Sequence, residues 1–567
     1  MTLGFPESFF GERAISPDAR RISPVFARTG VIAAQHPLVS ATGLRVLASG
    51  GNAVDAAVAA SLVGCVVMPA RCGIGGDLFA VVARPDAPGA WSKGDLLAFH
   101  GSGISPRGAS HAFMQEHGED APDGRRVPAQ IGPLSPSVPG FIDGCFELLD
   151  RFGTRPFAEL AAPAIGYAAA GHPISAAEAR YIAANADIIR QYPATAAVFL
   201  PGGNPPRPGD NFRQPGLARS LSLIARGGHD AFYRGEVGRD IVAFLAGNGG
   251  ALTIDDFAGH DTAVSPPLAT SYRGYTVYET GLPTQGFVVL EALNICGQTA
   301  IADLGLRSAA AVHTEVEALR LSFADRRAYA GDPDFVHTPL ETLLSPEWSA
   351  KRFATIDPAR MMARESAGPL SAGDTTYLCA IDGDGLMISL IFSISGGFGS
   401  FVVAGDTGIL LNNRLGNCFE LEEGHPNIYE PGKRTMHTLN CYLIADQEGN
   451  PVLVGGTPGG DFQPQWNLQT ITGLIDGGLD VQAAIEQPRW QLHPATYPFE
   501  RGDPFSLTVE TRLGEETIGR LEEMGYPIER AGAWGAGGSV QVIARDPDTG
   551  VLVGGSDPRA EGLAIGV

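Results

Sequence analysis

Gly373-Asp374-Thr375-Thr376-Tyr377-Leu378-Cys379-Ala380-Ile381-Asp382 is the stretch whose reading decides the fold. From Tyr377 to Ile381 every residue is apolar or aromatic, Asp382-Gly383-Asp384-Gly385 supplies a turn, and Leu386 to Ile394 is apolar again apart from Ser389 and Ser393. Two apolar runs joined by an Asp-Gly turn predict a β-hairpin. Neither arm alternates, and strands that are apolar on both faces belong in the middle of a layered core. Folding about Asp384 sets Thr375 opposite Ser393, within side-chain reach, and Ser395 repeats the face of Ser393 two residues on. A Thr at the mouth of a buried strand with hydroxyls facing it is a candidate nucleophile. The alternative is that these hydroxyls only pack and hydrogen-bond, as Thr does in many strands.

Outward from the hairpin, the 567-residue chain is long enough for a large core and, on length alone, for two to four domains. Apolar residues make up 44 % and charged ones 18 %, which is a globular composition, and the net charge of −22 repels phosphate backbones and anionic membranes. Nucleic acid and membrane are therefore not expected as partners. The 74 glycines are scattered through turns, without a collagen-like or linker repeat. Cys65, Cys72, Cys145, Cys296, Cys379, Cys418 and Cys441 sit mostly in apolar contexts and form no CxxC pair. That suits buried thiols in a reducing compartment and gives structural zinc no support; no metal or cofactor is expected. Met1 to Pro24 is interrupted by charges and has no apolar core for a secretory signal, so the expected location is cytoplasmic.

Taken in order, Gly30 to Ala34 reads as a strand, followed by an alanine-rich helix from about Ser40 that breaks at Gly50-Gly51-Asn52. Ala53 to Val66 is apolar nearly all round and predicts a fully buried helix. Cys72-Gly73-Ile74-Gly75-Gly76-Asp77 precedes a strand instead of following one, so it reads as a tight turn and not as a phosphate cradle. Leu96 to His100 is another strand, closed by Gly101-Ser102-Gly103. Ala309 to Ala330 predicts an amphipathic helix; His313, Glu315 and Glu317 lack the second His of a zinc-protease pattern and read as its solvated face. Ser371-Ala372-Gly373 is a small-residue segment of the kind that tolerates a break. Beyond the hairpin, Phe401 to Ala404, Leu439 to Ala445 and Val452 to Val454 read as strands. The last runs through Gly455-Gly456-Thr457-Pro458-Gly459-Gly460 into a helix near Gln463 to Ile475, a unit whose bare amides suit an anion or a developing oxyanion.

These residues resemble the gamma-glutamyltransferases, N-terminal-nucleophile hydrolases made as one chain. The likeness runs through Thr29-Gly30 and Gly51-Asn52-Ala53-Val54-Asp55-Ala56-Ala57, Tyr272-Arg273-Gly274-Tyr275, Ala324-Asp325-Arg326 and Gly331-Asp332-Pro333 to Ser556-Asp557-Pro558-Arg559. Asp374-Thr375-Thr376, Gly408-Ile409-Leu410-Leu411-Asn412-Asn413 and Pro458-Gly459-Gly460 carry it most specifically. The resemblance implies an α+β fold, a four-layer αββα sandwich of two entwined subunits, residues 1–374 and 375–567, cut from one precursor between Asp374 and Thr375. It also implies that Thr375 is the nucleophile, that Ser393 replaces the second Thr bonded to it, and that Gly459 and Gly460 form the oxyanion pair. Cleavage would free an α-amino group with a pKa near neutrality to act as the base for the Thr hydroxyl.

Several substrate-binding positions depart from the family. Its arginine for the glutamyl carboxylate falls within Phe99-His100-Gly101-Ser102-Gly103, which contains none, and Arg107 is the nearest substitute. Its acidic residue for the glutamyl amino group falls on Asn417, its serine pair on His437-Thr438 and its asparagine on Ser395, while Arg414 stands where a neutral or acidic residue is usual. Loss of one grip for each charge points to an acyl donor without a free amino-acid head. Arg414 or His437 could hold a carboxylate instead; the alternative for Arg414 is a surface ion pair. Phe419 to Gly432 is shorter than the family's lid, which predicts a more open cleft. The reading is a self-processing threonine amidohydrolase or acyltransferase acting on a small-molecule amide, gamma-glutamyl or related. The alternatives are a non-glutamyl acylase or oxamate-type amidohydrolase, and an unprocessed scaffold of the same fold.

Overall fold

The computed structural model describes residues 22–87, 90–362, 375–493 and 505–567; Asp374 and Ser371-Ala372-Gly373 lie outside the described residues. In chain order the main strands are β1 (Val25–Ala27), β2 (Gly30–Ala34), β3 (Asp77–Ala87), β4 (Ala90–Gly101), β5 (Ala263–Ser265), β6 (Leu268–Tyr272), β7 (Tyr275–Glu279), β8 (Thr376–Asp382), β9 (Met387–Ser393), β10 (Tyr442–Ala445), β11 (Pro451–Gly456), β12 (Gln541–Arg545), β13 (Leu552–Ser556) and β14 (Leu563–Gly566). The helices that cover them are α1 (Pro37–Ala48), α2 (Ala53–Val67), α3 (Phe141–Phe152), α4 (Phe157–Ala170), α5 (Pro215–Gly227), α6 (Gly286–Cys296), α7 (Ala309–Tyr329), α8 (Arg414–Cys418), α9 (Phe462–Ile475) and α10 (Val481–Glu486).

The hairpin forms where the apolar runs place it, with every residue of β8 and β9 buried. It lies in the middle of a seven-stranded sheet of order β14-β2-β8-β9-β3-β4-β5. A second seven-stranded sheet has the order β1-β13-β12-β11-β10-β7-β6. Strand alternation divides the hairpin between two environments. Leu378, Ala380, Leu390 and Phe392 face the α1, α2 and α4 side chains, whereas Tyr377, Cys379, Ile381 and Ile391 meet Leu443, Val454 and Ile543 of the second sheet. The far face of that sheet packs against α6, α7, α9 and α10. The layers thus run helix, sheet, sheet, helix. The turn is tied to the helix layer, because Asp382 Oδ2 accepts the Ala53 N–H at 3.0 Å where α2 begins in an Asn52–Asp55 capping box.

Two expectations fail for identifiable reasons. His313, Glu315 and Glu317 are buried, not solvated. Glu315 binds Arg307 at 2.6 Å and accepts from Thr472 at 2.7 Å; Glu317 pairs with Arg320 at 2.8 Å and accepts from Tyr526, whose oxygen lies 2.7 Å from His313 Nδ1. Buried polar groups persist when partnered, and these partners come largely from distant segments that helix periodicity cannot register. Phe401 to Ala404 makes one isolated bridge, Val403 to Leu410, because Phe401 turns into the left-handed region at φ +58°. All seven cysteines are buried, and no helix among the described residues is long and apolar enough to cross a membrane.

Candidate active site

The hairpin register builds one row of polar side chains across the end of the first sheet. Thr376 pairs with Phe392, Ser393 pairs with Asp77, and Leu78 pairs with Gly101. Thr375, Ser393, Asp77 and Ser102 therefore follow one another across β8, β9, β3 and the end of β4, on the side that faces the second sheet. All four are buried. The Thr375 hydroxyl donates to Ser393 Oγ at 3.1 Å, and Ser393 Oγ also accepts the Ser395 N–H at 2.9 Å. Ser395 does not continue the strand face: its φ of +81° turns the chain outward, where its Oγ accepts from Asn417 Nδ2 at 3.0 Å. Asn412 and Asn413 fix this corner. Asn412 Oδ1 accepts from the Ser137 and Arg414 amides, each at 3.0 Å, and Asn413 Oδ1 accepts from the Gly396 amide at 2.8 Å.

The second sheet contributes the glycine turn. After β11, Gly459 and Gly460 adopt φ of +133° and +56°, conformations that side-chain-bearing residues rarely reach, and a Cβ on Gly459 would fall 2.6 Å from the Trp466 ring. The turn is clamped from beneath. Gln285 Nε2 donates to the carbonyls of Gly460 at 3.0 Å and Thr438 at 2.5 Å, its Oε1 accepts from Arg326, and Arg326 forks onto Asp461 at 2.5 and 3.0 Å. Every side chain in this chain of bonds is buried. Backbone N–H groups held rigidly at such a turn can stabilise a developing oxyanion.

On the β3–β4 flank, Arg414 Nε donates to Asp77 Oδ2 at 3.0 Å, and both side chains are fully buried. The alternative of a surface ion pair for Arg414 is therefore corrected to a buried one; its partner lies 337 residues earlier, in a glycine stretch read only as a turn. Burial pushes the Asp77 pKa up to about 6, against the opposing pull of Arg414. His437 Nδ1 is 3.9 Å from Asp77 Oδ2, and its ring packs on Phe79 with centroids 4.9 Å apart. Burial drives the His437 pKa well below the ordinary value, and the Arg414 charge adds to that, so the ring is neutral. Neither His437 nitrogen nor Ser102 Oγ has a hydrogen-bond partner among the described residues. Arg107 stays apart, more than half exposed and 3.5 Å from Asp256. The Phe419–Gly432 segment does not leave this flank open: Phe419, Leu421 and Tyr429 pack with Met114 and Leu415 over α8, because the short loop carries its own apolar anchors.

The opening lies on the other flank, toward β2 and β14. There a cavity of about 610 Å³ brings Thr375 and Gly459 together with Gln35, Phe462, Trp466 and Gln491. The Thr375–Ser393 pairing expected from the hairpin register is present, and Gly459 lines the same cavity as Thr375; sequence reasoning did not single out Asp77, Gln285 or the Arg326–Asp461 pair. Asp461 directly after the glycines and Arg326 within a family block were the available signals.

Comparison with known proteins gives this geometry its context. The gamma-glutamyltranspeptidase family profile matches residues 39–567. The glutathione hydrolase-like YwrD proenzyme of Bacillus subtilis (strain 168) is 37 % identical over 538 residues, covering 95 % of this chain and 98 % of the relative. The oxamate amidohydrolase proenzyme of Klebsiella pneumoniae subsp. pneumoniae is 35 % identical over 543 residues, covering 95 % and 98 %. Among solved structures, the cephalosporin acylase from Bacillus halodurans superposes with a TM-score of 0.87 at 34 % identity, covering 98 % of this chain and 99 % of its own. The chain belongs to the gamma-glutamyltranspeptidase family and is an enzyme of its N-terminal-nucleophile type, an amidohydrolase or acyltransferase.

Proposed function

We propose that the chain cuts itself between Asp374 and Thr375, giving subunits of residues 1–374 and 375–567, and that Thr375 then cleaves an amide through an acyl-enzyme. The observation that carries this reading is the Thr375 hydroxyl, bonded to Ser393 Oγ at 3.1 Å in the cavity that Gly459 also lines. The freed α-amino group takes the hydroxyl proton as Oγ attacks the carbonyl carbon. The oxyanion forms against the Gly459 and Gly460 amides, where one such donor is typically worth ~3–4 kcal/mol of barrier. Collapse breaks the C–N bond, the amine leaves with the proton, and the acyl ester on Thr375 passes to water or to another amine.

The acyl group in this reading is short, polar and uncharged. Arg414 is engaged by Asp77 and Asn417 by Ser395, so neither grips an amino-acid head, while the neutral His437 and Ser102 retain unused hydrogen-bonding atoms. A gamma-glutamyl donor is the second reading, supported by the glutathione hydrolases among the relatives. Denaturing electrophoresis tests the first step: the native chain runs as two bands and Thr375→Ala as one. An active but uncut native chain sinks the mechanism. Parallel assays of short uncharged N-acyl amides, of oxamate, whose acyl half carries a carboxylate, and of a gamma-glutamyl anilide test the donor, and a preference of about tenfold or more for either charged donor reverses the acyl assignment.

A further inference from the structure

Resting on the amide-cleaving reading above, we propose that the amine half of the substrate is a flat aromatic amine bound in the cavity on the β2–β14 flank of Thr375. The tetrahedral carbon on Thr375 carries four groups. With Oγ fixed by β8, the oxyanion on the glycine turn and the acyl carbon toward Asp77 and Ser102, the amine nitrogen is directed to the remaining side. That side is where Gln35, just past β2, and Ala560, just before β14, line the cavity. Its volume of about 610 Å³ is far more than ammonia requires and matches a drug-sized ligand.

The lining selects the ligand class. Phe462 and Trp466 stack with centroids 5.3 Å apart and planes at 23°, giving an aromatic wall. Across from it, Gly537 and Gly538 hold φ of +71° and +94°, and a Cβ on Gly538 would come within 3.0 Å of Trp466. Bare backbone here lets the chain pack directly against the indole. Three lining side chains from separate segments each keep a buried polar atom without a partner among the described residues: Trp466 Nε1, Gln35 Oε1 and Gln491 Oε1. Buried polar atoms are normally satisfied, so one donor and two acceptors in one cavity call for a ligand with complementary groups, such as ring and exocyclic N–H. Of the cationic lining residues, Arg71 pairs with Glu178 at 2.8 Å and Arg559 with Glu510 at 2.6 Å, while Arg180 is exposed.

The test uses cut enzyme and two donors that share one short acyl group, a primary amide and a 2-naphthylamide. The kcat/KM ratio of naphthylamide to primary amide cancels changes in the chemistry common to both. We expect this ratio to fall at least tenfold in Trp466→Leu and in Gln491→Ala, with the KM for naphthylamide rising. Each variant must first show the two-band pattern; having two on different walls keeps the test intact if Trp466→Leu misfolds. A ratio within twofold of native in a cut, active variant overturns the subsite while leaving the amidase reading standing. A native chain that stays uncut and hydrolyses neither donor overturns both.

Discussion

Two buried Arg–Asp pairs flank Thr375, one under each sheet, and they differ in kind. Arg326 meets Asp461 through two parallel bonds and also holds Gln285, whose own amide grips the Gly460 carbonyl. Arg414 meets Asp77 through its Nε at 3.0 Å, and the Asp77 pKa is pushed up to about 6. A planar fork on a carboxylate fixes orientation as well as charge. At Asp77 desolvation outweighs the pull of Arg414 and of the Gly103 amide, so the acid is easily neutralised. The same residue types at the same depth thus make a clamp beneath the Gly459–Gly460 turn and a titratable pair beside Ser393.

The clamp should be the more damaging to break. Arg326→Leu leaves Asp461 buried and uncompensated, a loss of ~3–5 kcal/mol of stability, and frees the glycine turn. In cut enzyme we expect kcat to fall ~10²–10³-fold, the effect of losing one oxyanion donor. Arg326→Lys, which restores charge without the fork, should recover stability better than kcat. A kcat drop of less than about threefold for the Leu variant would mean that the turn holds itself and would dissolve the contrast.

Next comes Arg414→Met, which strands the Asp77 carboxylate. Chemical unfolding at pH 7.5 should show a loss of up to ~3 kcal/mol, because the stranded acid can escape part of the penalty by taking up a proton. The loss should shrink at pH 5. If it is the same at both, Asp77 does not titrate in this range.

Removing the acid should do the opposite. Asp77 rises from an ordinary 3.8 to about 6 in the folded chain, so the folded state holds its proton more tightly than the unfolded state does. The stability tied to that proton is complete below about pH 4 and is lost as pH rises through about 6. At pH 7.5, Asp77→Asn should be more stable than the native chain by up to ~2–3 kcal/mol, from about two pKa units at 1.36 kcal/mol each. The gap should close as pH falls to 4. An Asn variant that is less stable at pH 7.5 would place Arg414–Asp77 with the clamp.

The hairpin was legible because its signal is local: two apolar runs and an Asp-Gly turn fix the register, and register alone brings Thr375 to Ser393. The Pro458-Gly459-Gly460 turn was legible for the same reason, as a strand, bare backbone and helix in succession. Arg326–Asp461 and Asp77–Arg414 were not, since their members lie 135 and 337 residues apart and no periodicity links them. Glu315 and Glu317 were misread on the same account. A charged residue on a helix looks solvated until the fold supplies Arg307, Thr472 and Tyr526. Local pattern gave the Thr375–Ser393 pair and the glycine turn; long-range ion pairing holds that turn and the Asp77 flank.

The smallest effect is the most discriminating for the acyl site. Asn417 is half-buried and donates to Ser395 Oγ at 3.0 Å. Asn417→Asp keeps that contact with the proton reversed, Ser395 now donating, and sets a carboxylate where the family resemblance has one for the donor's amino group. With Arg414 still on Asp77, only the cationic end of a glutamyl head gains a partner, so KM for a gamma-glutamyl anilide should fall only ~2–5-fold, equivalent to ≤ 1 kcal/mol. Adding Asp77→Asn frees Arg414 for the donor's carboxylate. The double variant should then exceed the product of the single effects, which a double-mutant cycle measures directly. A strictly multiplicative result would mean that Arg414 never reaches the acyl group, whereas a tenfold gain from Asn417→Asp alone would mean that Asp77 does not hold it back.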